Sequence, residues 1–403
     1  MAEKIPVSEA FDRIERHVSP SAPLWIAVDA EAEGHILAAP VTAAADTPRF
    51  DCSAMDGFAL SSRETHAATP SAPVLLDLAA DIAAEAVPAA LPPRAAAPIS
   101  TGAAIPAGAD VVVAKEYGRI TGGKLELTES AAAGRNVRRR GEDAPVGGHV
   151  ASAGAPLSPE LIAALLSYGV SQVEARRPPC IEIVATGSEL APHIGGDSMA
   201  RIDSNGPMIG AMCRSLGLPY RVTRPIRDDL EQLCHRLLSS GNDPRADLLV
   251  STGGVSVGAH DLVCEALDRI GAQIIFHGIA MRPGKPMLFA ILPDGRPFFG
   301  LPGNPVAALV GFRFFVLAAI RAMLGLPRET GRQIAAPTPP RDGTTLFLRA
   351  RTGSPSSNEL ELLDDQRSHI LASVIAANSW IRLETTAEGI SARLFDQAPR
   401  LVP

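Results

Sequence analysis

Acidic side chains in glycine-containing loops are the residues of this sequence whose types and spacing could do chemistry. The fullest example is residues 247–261, DLLVSTGGVSVGAHD, in which an apolar run leads into two small-residue turns and ends at Asp261. A strand, a glycine-rich loop and a helix in this order present backbone N–H groups to an anion. Gly253, Gly254 and Ser256 supply the loop, where a phosphate can approach the main chain closely. The alternative interpretation is an ordinary turn that only needs glycine.

Other loops carry groups of the same two kinds. The further carboxylates are Asp56, Glu189, Asp203, Asp228 and Asp229. The further groups able to hold phosphate oxygens are Thr101, Arg138, Arg282, Lys285 and Ser368. Mg²⁺ takes oxygen ligands and shares them with phosphates, so it would mask phosphoanhydride charge while Lys and Arg hold the remaining oxygens. These residues predict cleavage or formation of a phosphate linkage to a nucleotide or pterin-like ligand.

The elements that must position these groups alternate between strand and helix from residue 181 onward. Strands are predicted at 181–184, 221–223, 248–252, 273–276, 287–292 and 297–300, and helices at 207–216, 229–239, 261–270 and 306–324. This alternation favours an α/β domain with a mostly parallel sheet. Ligands of such sheets bind where loops leave the carboxyl ends of the strands. Glu189, Asp228, Asp261, Lys285 and Asn304 all fall in such loops.

The remaining segments do not show this strand–helix alternation. Apolar spacing predicts short helices at 7–17 and 159–167. Residues 66–98 and 332–403 carry short alternating runs, which indicate a small inserted β-domain and a C-terminal β-domain. Residues 177–179, Arg-Pro-Pro, have the composition of a linker.

Composition excludes several classes of protein. The 403 residues and 46% hydrophobic content allow two to four domains with real cores. A net charge of -7 argues against a general nucleic-acid surface. Five scattered cysteines without a CxxC pair argue against a disulfide framework or zinc site and favour the cytoplasm. The charged N-terminus is unlike a signal peptide, and Arg313 and Arg321 make helix 306–324 a buried or interface helix, so no membrane association is expected.

Eight segments, taken in order, resemble the molybdopterin molybdenumtransferase family (MoeA type, similar to the E domain of gephyrin). They are SAMDGFA (53–59), STGAAIPAGADVVV (100–113), GRNVRRRGED (134–143), TGSEL (186–190), DSNGPM (203–208), STGGVSVGAHD (251–261), RPGKP (282–286) and LPGNPVAA (301–308). Because the segments span nearly the whole chain, the resemblance is far more specific than any one motif.

The resemblance implies a fold of four domains in a subunit that forms a homodimer, with each active cleft built by both chains. It assigns residues 1–46 and 137–176 to an elongated linking domain, and 47–136 to the inserted β-rich domain. Residues 177–326 would form the molybdopterin-binding α/β domain and 327–403 the C-terminal β-domain. The implied reaction inserts molybdate into adenylyl-molybdopterin with Mg²⁺ and releases AMP. The adenylyltransferase of the preceding step and recipient apo-molybdoenzymes are the further partners implied.

The resemblance also implies roles for individual residues. Asp56, Glu189 and Asp261 match catalytic positions, and Glu189, Asp228 and Asp261 would hold the metal. The substrate-binding positions implied are Thr101, Asp143, Arg138, Asp228, Gly253, Gly254, Ser256, Arg282, Lys285, Pro302, Asn304, Pro305, Arg349 and Ser368. Arg282 stands where the family often has Lys, which predicts a change in anion affinity, and Arg367 stands where glycine is common, which leaves the role of Ser368 open.

Two other functions remain open at this point. One is an enzyme related to molybdopterin adenylyltransferase, which makes the adenylylated pterin from ATP and would need only a domain like 177–326. The other is a scaffold without catalysis, against which the retained loop carboxylates argue.

Overall fold

The protein is described here by a computed structural model. The structure describes residues 4–84, 87–187, 190–191, 201–227, 229–239, 246–254, 262–341, 343–353, 359–399 and 401.

A six-stranded sheet forms the α/β part of the chain. Its strands, in spatial order, are Tyr220–Val222, Ile181–Ala185, Leu248–Thr252, Pro297–Leu301, Leu288–Ile291 and Gln273–His277. The first four strands run parallel to one another, and only Leu288–Ile291 runs in the opposite direction, so the predicted mostly parallel sheet is confirmed. Strands Ile181–Ala185 and Leu248–Thr252 are buried at every position, as expected where helices cover both faces.

The helices of this part agree with the predicted alternation within a residue or two. They are Asn205–Ser215, Leu230–Leu238, Leu262–Arg269 and Pro305–Met323. The last is long and apolar enough to cross a membrane, but 83% of its apolar window is buried inside the protein, so it is a core helix. Gly311–Val316 within it is π-helical, and Arg313 there is fully buried and paired with Glu329 at 2.6 Å.

The N-terminal helix packs onto this core helix. Helix Val7–His17 buries Val7, Ala10, Phe11 and Ile14, and the Phe11 ring stacks on Phe315 at 4.8 Å between centroids. The segment just before it joins the α/β part by a backbone bridge between Ile5 and Ile279.

Residues 57–127 form a second six-stranded sheet, in the stretch predicted as an inserted β-rich domain. Its spatial order is Val111–Ala114, Gly57–Leu60, Ala95–Ile99, Val74–Leu78, Lys124–Leu127 and Arg119–Thr121. A core of its own, including Phe58, Leu76 and Leu125, lies on one side of this sheet.

Other segments of the chain form smaller sheets. One consists of Leu24–Ala27, Gln172–Arg176 and Ile36–Leu37, and helix Pro159–Ser167 packs beside it, capped by the Ser158 hydroxyl. The two-stranded pairs are Cys52–Ser53 with Val137–Arg138, Val41–Thr42 with His149–Ala151, and Leu190–Ala191 with Arg201–Ile202. Single turns of 3₁₀ helix lie at Ala30–Ala32, Ser62–Thr65 and Lys115–Tyr117.

The C-terminal sheet includes a strand from outside its own stretch of sequence. Its order is Met281–Arg282, Thr345–Thr352, Ser379–Thr386, Gly389–Asp396 and Arg332–Gln333, with Leu360–Leu362 also paired to Thr345–Thr352. Short helix Ala372–Ala376 lies beside it. Because Met281–Arg282 belongs to the RPGKP stretch, this sheet is tied directly to the α/β part. The four domain boundaries remain a prediction.

Candidate functional site

The loops at the carboxyl ends of the parallel strands leave the sheet side by side. Thr186 N–H donates to the Thr252 carbonyl at 2.9 Å, and Gly187 N–H donates to the Ile226 carbonyl at 3.1 Å. Gly253 N–H donates to the Leu301 carbonyl at 3.0 Å. These bonds join the starts of the TGSEL, GGVSVG and LPGNP segments, which lie more than a hundred residues apart at their extremes.

Glycine is required where two of these loops touch. Gly253 and Gly254 have φ of +85° and +68°. A Cβ on Gly253 would collide with the Thr186 carbonyl oxygen, and one on Gly254 would lie 2.8 Å from Thr186 Oγ1. Contact with a neighbouring loop therefore explains glycine at both positions, and the approach of a phosphate to this loop stays a prediction.

Four predicted site residues lie outside the described part of the chain: Glu189, Asp228, Ser256 and Asp261. Their catalytic, metal-binding and substrate-binding assignments stay predictions. Gly187, Ile226 and Gly254 are described residues that precede Glu189, Asp228 and Asp261, and they lie in loops that contact one another at this edge of the sheet. Within the described ranges, no group of three or more His, Cys, Asp or Glu side chains could hold a metal ion.

Two other carboxylates collected from the sequence act as helix caps. Asp203 Oδ1 accepts the N–H groups of Asn205 and Gly206 at 3.0 Å each, and Asp229 Oδ1 accepts Gln232 N–H at 3.0 Å. The Asn205 side chain donates to the Gly303 carbonyl at 2.9 Å. It thereby ties helix Asn205–Ser215 to the LPGNP loop, a contact between distant segments that helical spacing cannot reveal.

A basic cavity of 570 Å³ lies at the LPGNP and RPGKP loops. We call it the cationic cavity, and its charged or titratable lining residues are Lys4, Arg282, Lys285, Arg341, Arg367 and His369. Pro302, Asn304 and Ser368 also line it, so five predicted substrate-binding residues from three segments meet here. No carboxylate is found among its described lining residues.

Backbone pairing builds the walls of the cationic cavity. Arg282 lies on the strand that pairs with Leu346 of the C-terminal sheet, and Ile279 N–H donates to the Lys285 carbonyl at 2.9 Å. On the opposite wall, Asn304 Nδ2 donates to Ser368 Oγ at 3.2 Å. Pro305 is the first residue of the core helix, where its missing N–H costs no hydrogen bond. The cavity therefore joins the α/β part to the C-terminal sheet.

Arg349 is not among the residues lining this cavity, in contrast to its predicted place as an anion contact. It is fully buried, and its Nη1 donates to the Arg367 carbonyl at 3.2 Å. Gln366 pairs with the Arg349 main chain in both directions at 3.0 Å. Burial lowers the pKa of the Arg349 guanidinium. This geometry makes Arg349 a support for the loop that carries Arg367 and Ser368.

Arg367, which departs from the family pattern, lies on the rim of the cavity. Its guanidinium forms hydrogen bonds to both carboxylate oxygens of Asp365, at 2.6 to 3.2 Å, and these bonds hold the pKa of Asp365 well below its usual range. Both side chains are partly exposed, so this pair contributes little to stability.

Asp56 and Thr101 form a separate polar turn in the inserted sheet. Asp56 Oδ1 accepts Thr101 N–H at 2.7 Å and the Thr101 hydroxyl at 2.8 Å. These two hydrogen bonds lower the pKa of the Asp56 carboxyl, which keeps it ionised. Both residues are exposed, and neither is among the described residues lining the cationic cavity.

The arginine-rich loop is held by ion pairs. Arg138 pairs with Glu142 at 3.2 Å, Arg139 with Asp51 at 2.6 Å and Arg140 with Asp46 at 2.5 Å. Asp143 N–H donates to the Thr47 carbonyl at 3.0 Å, and its side chain is exposed. Arg138 and Asp143 therefore lie on the inserted-domain side of the molecule, and their substrate-binding roles stay predictions.

Known proteins resemble this chain along nearly its full length. Residues 5–169 match the model of the MoeA N-terminal region (domain I and II), and residues 182–322 match that of a probable molybdopterin binding domain. The molybdopterin molybdenumtransferase of Staphylococcus aureus strain COL is 32% identical over 397 residues, covering 96% of this chain and 93% of that protein. The one from a Staphylococcus epidermidis strain is 34% identical over 323 residues, covering 80% of this chain and 76% of that protein.

Solved structures agree in fold. The crystal structure of the molybdopterin biosynthesis moeA protein from Pyrococcus horikoshii superposes with a TM-score of 0.76 at 24% identity, covering 98% of this chain and 100% of that chain. A molybdenum cofactor biosynthesis protein from Pyrococcus furiosus gives a TM-score of 0.53 at 16% identity, covering 97% of this chain and 98% of that chain. With the family models and the identity to the staphylococcal proteins, this full-length agreement means that the chain belongs to the molybdopterin molybdenumtransferase family.

Proposed function

We propose that this chain catalyses the reaction for which its relatives are named, the transfer of molybdenum to molybdopterin. In this reaction molybdate enters adenylyl-molybdopterin and AMP leaves. The phosphoanhydride of the adenylylated pterin is broken, and the metal becomes bound to the dithiolene sulfurs of the pterin. The observation that carries the proposal is the cationic cavity, in which five predicted substrate-binding residues from three separate segments meet and Arg282 and Lys285 supply basic groups.

The residues of the cationic cavity fit an oxyanion and a phosphate. Arg282 offers a planar set of donors suited to bidentate contact, and Lys285 offers a compact charge. Asn304 and Ser368 add neutral donors on the opposite wall, 3.2 Å from each other. We propose that Arg282 and Lys285 bind the negatively charged substrate, and that Asn304 and Ser368 orient it. Pro302 and Pro305 fix the loop between them, and Arg349 supports Ser368 from behind.

Mg²⁺ is the proposed cofactor, and its proposed ligands are Glu189, Asp228 and Asp261. Three carboxylates are a donor set that suits this hard cation. Gly187 and Ile226, each two positions before a proposed ligand, are hydrogen-bonded to each other, and Gly254, at the start of the loop that leads to Asp261, packs against Thr186, which supports a common site. When bound, Mg²⁺ would neutralise charge on the phosphoanhydride. The Gly253 amide donates to Leu301, so the amides that follow it, from Gly254 through Ser256, would be the ones to bind the same phosphates.

The proposal extends to a homodimer in the cytoplasm. Asp56 and Thr101 form one polar turn, and they belong to the inserted sheet, whereas the cationic cavity lies between the α/β part and the C-terminal sheet. We infer that a second copy supplies Asp56 and Thr101 of its inserted domain, with Arg138 and Asp143 of the adjoining arginine-rich loop, to the cavity of the first. Contacts with the adenylyltransferase and with recipient apo-molybdoenzymes belong to the same proposal.

The direct test supplies adenylyl-molybdopterin, molybdate and Mg²⁺ to the purified protein. We expect AMP release together with reconstitution of an apo-molybdoenzyme, and neither product when sulfate replaces molybdate. Glu189→Gln should slow AMP release without unfolding the chain, while Glu388→Gln, at an exposed turn residue, should behave as wild type.

Two outcomes would contradict the proposal. Well-folded protein that gives neither AMP nor reconstitution is not a molybdenumtransferase. Consumption of ATP to make the adenylylated pterin would instead favour the adenylyltransferase function.

A further inference from the structure

Lys4 enters the cationic cavity from a part of the sequence that no family motif covers. The next residue, Ile5, anchors it, because Ile5 N–H donates to the Gly278 carbonyl at 3.3 Å and Ala280 N–H donates to the Ile5 carbonyl at 2.8 Å. Immediately after this segment in the sequence, helix Val7–His17 packs on the core helix through Phe11. Backbone pairing thus fixes Lys4 in place, so its side chain is not needed to hold the segment.

The Lys4 side chain lies against the loop that carries Lys285. A Cβ built on Gly278 would lie 3.7 Å from Lys4 Cγ and 3.8 Å from the Lys285 carbonyl oxygen, so the aliphatic stem of Lys4 passes directly over this turn. Lys4 and Lys285 are both exposed and line the same cavity, so no wall of the protein separates their ammonium groups. Hydrogen bonding and repulsion between the two side chains lower the pKa of Lys4. The other charged or titratable groups facing this pair are Arg282, Arg341, Arg367 and His369.

Two ammonium groups side by side repel each other unless something negative lies between them. The described lining of the cavity offers no carboxylate for this purpose. A ligand with two negative charges would satisfy both groups, whereas a ligand with one would leave part of the repulsion unrelieved.

We propose that Lys4 and Lys285 form a paired-ammonium subsite that selects doubly charged tetrahedral oxyanions over singly charged ones. Lys4 is then a specificity-determining residue that contacts the anion directly. This subsite depends on the proposed function at one point, the assumption that molybdate is its natural dianion.

Tungstate and perrhenate test this charge selection, since both are tetrahedral and of similar size but carry two charges and one. Calorimetric titration of the full chain should show that Lys4→Met weakens tungstate binding about tenfold and perrhenate binding only about threefold. Lys4→Arg should keep most of the preference for tungstate. Lys124→Met is the matched control, because it removes one exposed lysine, paired with Asp77, in the inserted sheet.

Proton uptake separates a direct contact from a structural effect. Because the pair lowers the pKa of Lys4, an anion bound between the two ammonium groups should raise it again, and the protein should take up protons on binding. Titrations about one pH unit below the ordinary lysine pKa, in buffers of different ionisation enthalpy, measure this uptake. It should be present in wild type and Lys124→Met and smaller in Lys4→Met.

Several results would overturn the proposal. They are equal weakening of tungstate and perrhenate in Lys4→Met, unchanged proton uptake, and no saturable tungstate binding by wild type. AMP release with a Lys4→Met variant that binds both anions normally would remove Lys4 and leave the proposed function standing. If Lys4→Met loses the preference for tungstate while even the wild-type protein releases no AMP, the role of Lys4 stands and the proposed function does not.

Discussion

Replacing Gly253 with alanine tests how closely the loops at the sheet edge approach each other. Gly253 has φ of +85°, and its missing Cβ leaves room for the Thr186 carbonyl oxygen. Gly217 is the matched control, because it has φ of +68° at the end of helix Asn205–Ser215 and a Cβ there would meet nothing within 4 Å. The two substitutions share the backbone strain and differ in the collision.

The expected costs follow from these two contributions. Placing a Cβ in the left-handed region costs about 1–2 kcal/mol, which applies to both variants. At Gly253 the colliding atom belongs to the backbone of a neighbouring loop, so relief requires a main-chain shift, which costs about 1–3 kcal/mol more. We therefore expect Gly253→Ala to lose about 2–5 kcal/mol and Gly217→Ala about 1–2 kcal/mol.

Native-state hydrogen exchange measures this difference locally, which matters because a multidomain chain need not unfold in one step. The amides to follow are those of strands Ile181–Ala185 and Leu248–Thr252, which flank the contact. AMP release should also fall more in Gly253→Ala than in Gly217→Ala, because the shifted loop begins the GGVSVG segment. Equal losses of protection in the two variants would refute the close approach.

Three further predictions concern the two polar sites and the core. Lys285→Met should lower both tungstate affinity and AMP release about tenfold or more, measured by calorimetry and steady-state assay, with Lys124→Met unaffected. Asp56→Asn should be less stable than wild type by an amount that is constant above about pH 4 and shrinks as the pH falls through the lowered pKa of Asp56. The reason is that the hydrogen bonds from Thr101 stabilise only the ionised carboxyl. A stability difference that does not change with pH in acid would contradict this prediction. Arg313→Met should cost about 2–4 kcal/mol of the local stability that hydrogen exchange measures at the core helix, since it breaks the ion pair between buried Arg313 and partly exposed Glu329, and exposed Arg332→Met should cost little; equal costs would contradict this pairing.

Much of the α/β part could be predicted because its signals are local. Buried strands such as Leu248–Thr252 are continuous apolar runs, and glycine or proline marks the helix ends. Because the predicted strands are mostly parallel, the loops that follow them leave the sheet at one edge. The spacing at 305–323 predicts the core helix but not its π-helical turns at Gly311–Val316, since these depend on packing: a Cβ on Gly311 would lie 2.7 Å from Leu301.

The parts that the sequence could not predict depend on contacts between distant segments. Met281–Arg282 joins the C-terminal sheet through pairing with residues 345–346, and no local pattern marks that choice. Arg349 has the type of an anion contact, yet its strand turns it inward, where it supports the loop of Ser368. Lys4 has no motif around it and enters the cavity only because Ile5 pairs beside Ile279.

The distribution of charge explains how a chain with net charge -7 can hold a dianion. Among the described residues, four carboxylates in these loops are held by other partners: Asp203 and Asp229 cap helices, Asp365 binds Arg367 and Asp56 binds Thr101. Lys285 and Arg282 therefore face the cavity without an acidic partner among the described lining residues. A surface that is acidic overall repels nucleic acids and other polyanions, while a basic cavity inside it focuses the field on a small anion. Selectivity for a compact oxyanion over a polyanion thus follows from where the carboxylates are held, and not from the total charge.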